Sequence, residues 1–96
     1  MTYTQSVKLK EMGFPRNEGE WFYDSDGEFL PNPNFVQAYY WIYNIIRSKY
    51  DVIITNNAIV ELNDGEKIMR VGKYDGLSDA VYALIVWAYE NKLLEA

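Results

Sequence analysis

The side chains best spaced to bind or transform something are carboxylates that precede glycine. Asp24-Ser25-Asp26-Gly27 and Asn63-Asp64-Gly65 both look like the opening of a calcium loop, where alternating oxygen ligands lead into an obligatory glycine. The register defeats both. With Gly27 as the loop glycine, the first ligand position falls on Phe22 and the closing glutamate on Pro33; with Gly65, the first ligand would be Val60. None of these offers a side-chain oxygen, so both stretches read as tight turns, in which glycine takes a positive φ and Asp or Asn accepts backbone amides.

A second candidate is the acidic run Glu18, Glu20, Asp24, Asp26 and Glu28, which lies in a stretch with no Lys or Arg. Two such carboxylates could flank a glycosidic bond, one protonated and one ionised. That chemistry needs a cleft and a pKa raised by burial, which an exposed hairpin does not supply. Solvated charges that block strand-to-strand association account for the same residues. The chain has no cysteine and no histidine, which removes thiolate nucleophiles, disulfides, and zinc or Ser-His-Asp chemistry in their usual forms. Its six glycines form neither G-x-G-x-x-G nor G-x-x-x-x-G-K-[ST]. No catalytic residue, metal site, cofactor or small-molecule substrate is therefore expected.

The formal charge is −5, from 14 acids and nine bases, and the five acids of residues 18–28 account for the whole excess. That balance argues against nucleic acid as a partner, because phosphate neutralisation needs clustered Lys and Arg. Arg47, Lys49, Lys67, Arg70 and Lys73 could converge, but ordinary balanced surface charge is the better account of them. The aromatic content is the stronger anomaly. Nine Tyr, three Trp and four Phe make 17% of 96 residues, more than so small a core can enclose. Tyr and Trp are enriched at protein interfaces, where each gives a large stiff surface with a polar handle. Tyr40, Trp41, Tyr43, Trp87 and Tyr89 lie beside the apolar stripes of their helices and are the candidate interface.

The elements that would position these groups follow from periodicity and punctuation. Thr4 to Met12 reads as a helix capped by Thr4 and ended by Gly13 and Pro15, with Phe14 anchoring the exit. Residues 20–30 read as a hairpin turning at Ser25-Asp26-Gly27. Asn34 and Gln37 have the spacing of a capping box for a helix over 35–49, with Asn32-Pro33 as an alternative start. Its expected core face is Phe35, Ala38, Tyr39, Ile42, Ile45 and Ile46. Residues 52–71 read as a three-stranded meander whose middle strand, Ala58 to Leu62, buries Ala58, Val60 and Leu62. Ser78 is placed to cap a last helix over 78–93, with Val81, Leu84, Ile85 and Ala88 inward and Lys92 near its negative end.

The expected architecture is thus a single α+β domain over residues 1–96, ordered α-β-β-α-β-β-β-α. One antiparallel sheet, the meander together with the hairpin, packs against the helices at 35–49 and 78–93. No apolar run approaches the roughly 20 residues of a membrane span, and the first residues show no secretory signal, so a cytoplasmic location is the expectation.

Three stretches, Lys8-Leu9-Lys10-Glu11-Met12-Gly13-Phe14-Pro15, Trp21-Phe22-Tyr23-Asp24 with Asp26-Gly27-Glu28, and Leu77-Ser78-Asp79-Ala80-Val81-Tyr82-Ala83, resemble a group of small uncharacterised proteins of bacteriophages and integrated mobile elements. The resemblance implies that origin and a compact α+β fold, and carries no catalytic residue. The functional expectation is a non-enzymatic protein that binds another macromolecule or itself. Two alternatives are an acidic inhibitor that offers residues 18–28 to the basic groove of a nucleic-acid enzyme, and a small hydrolase working with carboxylates alone.

Overall fold

The computed structural model describes residues 2–15, 21–23 and 29–94. Among them the elements follow as α1 (Tyr3–Glu11), β1 (Trp21–Tyr23), β2 (Phe29–Pro31), α2 (Phe35–Ile46), β3 (Asp51–Ile54), β4 (Ile59–Asn63), β5 (Ile68–Lys73) and α3 (Leu77–Glu90). The class is α+β, with three helices and a three-stranded antiparallel sheet in one compact unit.

Helix α1 starts earlier than its sequence suggests. Thr2, not Thr4, is the N-cap, and it forms a reciprocal capping box with Gln5: the Thr2 hydroxyl accepts the Gln5 backbone amide at 3.2 Å, and the Gln5 side-chain oxygen Oε1 accepts the Thr2 backbone amide at 3.0 Å. Gly13 ends it at φ 88°, and Phe14 tucks into the core. Helix α2 is capped as its spacing predicts, with Asn34 accepting the Gln37 amide at 2.9 Å. It ends at Ile46 rather than near Lys49, because the Ile46 carbonyl takes the amides of both Lys49 and Tyr50 in a closing turn. Ser78 does not cap α3; Gly76 is the N-cap, with no side-chain hydrogen bond, and Ser78 lies inside the first turn.

The sheet order is β3-β4-β5, antiparallel throughout. Asp64 closes the β4–β5 turn by accepting the amides of Glu66 and Lys67 at 2.9 and 3.0 Å, while Gly65 takes φ 98°. In the β3–β4 turn neither asparagine takes the left-handed conformation; Ala58 does, at φ 57°. Its methyl is buried in the core, its amide bonds Thr55, and its carbonyl receives the Tyr74 amide, so three contacts hold a conformation that costs a β-carbon residue about 1–2 kcal/mol.

The expectation of one continuous sheet is corrected. β1 and β2 pair only with each other, as a separate two-stranded unit, and β2 leans on α1. Helix α3 is the hub, touching α2, β4 and β5. Its Val81, Leu84, Ile85 and Ala88 are fully buried beside Ala38, Ile42, Ile46, Val60 and Leu62. Each larger aliphatic contributes on the order of 1.5–3 kcal/mol on burial. The α2 stripe is narrower than its periodicity suggests. Phe35 and Ile45 are exposed, because the packed face of α2 is Ala38, Ile42 and Ile46 against α3, with Trp41 on its flank against Phe14.

Candidate functional site

The described aromatics are mostly half-buried, and they gather in small groups. Trp41 turns inward and meets Phe14 edge-on at 4.9 Å. Trp87 meets Tyr50 edge-on at 5.6 Å, on the side of α3 facing a shallow groove lined also by Tyr74 and Tyr82. Tyr89 is exposed near the end of α3, with the Lys8 ammonium 5.5 Å from its ring centre. Tyr43 stacks on Tyr39 at 5.7 Å, and Tyr40 meets Tyr39 edge-on at 5.9 Å. The five candidate residues therefore occupy separate neighbourhoods, with Tyr40 and Tyr43 joined through Tyr39. Glu18, Glu20, Asp24, Asp26 and Glu28 lie outside the described residues.

The tyrosine group borders a groove of about 550 Å3 between α2, β3 and the start of α3. Phe35, Val36, Tyr39 and Tyr40 form its helical wall, and Leu77 and Val81 close its floor. Its other wall is Val52, Ile53 and Ile54, three consecutive strand residues. Side chains alternate between the two faces of a sheet, so three in a row can border one groove only when the groove runs along the strand's edge. Besides the hydroxyls of Tyr39 and Tyr40, Asn56 is the one polar side chain in its lining, and none is charged. Phe35, Val36, Tyr40 (59% exposed), Ile53 (39% exposed) and Leu77 are the large apolar residues that remain open to solvent along it. Burial, reinforced by Tyr43 and Tyr40, pushes the Tyr39 phenol above its ordinary pKa of 10.0, so the ring is neutral at physiological pH.

Edge geometry adds a second property. β3 is terminal in the sheet order, with no strand on its outer side among the described residues. The Thr55 amide donates to the Ile59 carbonyl at 3.0 Å, which makes Thr55 and Ile59 a hydrogen-bonded pair. Antiparallel ladders alternate, so Ile53 and Asp51 also direct their amide and carbonyl to β4, opposite Glu61 and Asn63. Val52 and Ile54 consequently point theirs outward, along the groove. The site offers unpaired backbone donors and acceptors beside an apolar, aromatic-lined wall.

Of the five candidate interface residues only Tyr40 lines this groove; Tyr43 lies behind it against Tyr39, and Phe35, Val36, Ile53 and Leu77 were not among the candidates. The signal for Ile53 was present: the run Asp51-Val52-Ile53-Ile54 contains no Lys, Pro or glycine of the kind that usually guards an edge. Among the described residues no cluster of three acidic, His or Cys side chains could hold a metal, and no helix is long and apolar enough to cross a membrane. No protein-family model, curated protein or solved structure matches the chain.

Proposed function

We propose that this chain is a non-enzymatic interaction protein, of phage or mobile-element origin and cytoplasmic, whose docking surface is the groove between α2 and β3. One observation carries the reading: an uncharged groove coincides with a strand edge whose backbone groups are unpaired. Apolar pockets alone bind many things, but an open edge selects extended polypeptide, with backbone hydrogen bonds giving affinity and the aromatic wall sorting alternate side chains. The occupant is a protein segment in extended conformation.

Panning a random-peptide library tests this. The wild-type chain should enrich apolar, β-branched peptides, and the double variant Tyr40→Lys with Ile53→Lys should enrich none of them. Equal enrichment by both proteins, or none by either when the wild-type chain is monomeric, would contradict the proposal.

A further inference from the structure

We infer that the segment occupying this groove is β3 of a second copy, added antiparallel across a twofold axis so that two three-stranded sheets become one of six. The inference rests on the docking reading and names its partner. Three features of β3 carry it.

The first is register. An antiparallel pair related by a twofold axis normal to the sheet must keep each side chain on its own face, so the axis has to pass through a residue and not between two. With the axis at Ile53, Val52 faces Ile54 of the second copy, and these are the residues whose amides and carbonyls point outward. Every outward amide then finds a carbonyl. Ile53 meets its own copy as a non-hydrogen-bonded pair, the arrangement in which side chains approach most closely.

The second feature is charge. In this register Asp51 lies opposite Thr55 of the second copy, so no acid faces an acid, and the groove lining brings no charge to the seam. The third is the contrast with the opposite edge. β5, the opposite edge, carries Arg70 and Lys73 and a bulge, whereas the β3–β4 register is regular and β3 has no basic residue. Phe35, Val36 and Tyr40, exposed on α2, adjoin the same seam and would lose their solvent contact with it.

The chain lacks cysteine, so a single introduced thiol can form a disulfide only with another copy. Paired non-hydrogen-bonded residues have Cα atoms about 4.5 Å apart, within disulfide range. Ile53→Cys should give a covalent dimer under mild oxidation, whereas Ile68→Cys, more exposed but on β5, should form no disulfide-linked dimer. By light scattering the wild-type chain should show twice its 11.3 kDa, and Ile53→Lys should return it to monomer with an unchanged circular-dichroism spectrum. If Ile53→Lys does not fold, the cysteine pair decides alone. A wild-type monomer up to millimolar concentration, or equal cross-linking at 53 and 68, overturns the inference. Should that monomer still enrich peptides through Tyr40 and Ile53, the docking surface stands and only the identity of its occupant falls.

Discussion

The two edges of the central sheet are treated in opposite ways. β5 follows the rules by which soluble proteins avoid pairing with strangers: Arg70 sits across from Glu61, Lys73 across from Ile59, and the register shift between Val60 and Glu61 inserts Val71 as a bulge that breaks the ladder. Tyr74 then folds back over Gly72, filling the space a side chain would need. β3 has none of these devices. Its four residues are in regular register, three of them are aliphatic, and an exposed aromatic helix face runs beside it. An apolar edge is an aggregation hazard unless it is blunted or covered, and one beside a groove has the geometry to accept an added strand. The contrast between a guarded and an open edge in one small sheet supports a docking role more strongly than aromatic content alone.

The most damaging change to this contrast is to the strand both edges share. Leu62, fully buried on β4, pairs with Val52 on one side and Met69 on the other, so Leu62→Ala should cost about 2–5 kcal/mol and loosen both edges together. Urea denaturation would show a lower midpoint, and amide exchange would accelerate in β3 and β5 alike. Faster exchange confined to one edge would mean that the edges are stabilised independently. Next in size is Gly72→Val. A β-carbon there meets the ring and hydroxyl of Tyr74, and displacing that ring should cost about 1–3 kcal/mol while leaving β3 exchange untouched.

How much of this could be read beforehand differs by element. The Asn34/Gln37 capping box, the inward stripe of α3 and the Asp64-Gly65 turn are local patterns, decided within a few residues, and they stand in the structure as their spacing implies. Thr2 was missed as the cap of α1 although Thr2-x-x-Gln5 has the same spacing as the α2 box; Thr4 only sits closer to the apolar residues. The exposure of Phe35 and Ile45 was not legible, since periodicity marks an apolar face without saying how much of it a neighbour covers. The separation of β1 and β2 from the main sheet is likewise a tertiary matter, settled by α1. The groove needs three elements and knowledge of which strand is terminal, so only its parts were visible: the unguarded aliphatic run of β3 and the surplus tyrosines of α2.

A subtler probe of the open side is pH. The Tyr39 phenol has a raised pKa in the folded state, so its contribution to stability is complete below the unfolded value near 10.0 and is lost as pH rises through the folded value. Wild-type stability should therefore decline on the alkaline side of pH 10, and Tyr39→Phe should make that limb shallower without abolishing it, since burial and Glu11 raise the Tyr82 phenol too, as measured by urea denaturation at stepped pH. The smallest effect expected is on the guarded side. Asp64, held below its ordinary pKa by the amides of Glu66 and Lys67, stabilises the β4–β5 turn above the usual carboxylate range and ceases to as pH falls through its lowered value. Asp64→Asn should remove that acid-side loss while leaving the turn formed.

Hydrogen exchange resolved to single amides of β3 tests the open edge most directly. In dilute solution Ile53, bonded to β4, should exchange slowly, while Val52 and Ile54, directed outward, should exchange fast. Raising the protein concentration should slow Val52 and Ile54 and leave Ile53 unchanged. Val52 and Ile54 amides that stay fast at every concentration, and with any enriched peptide added, would show that nothing pairs with this edge and would contradict the account.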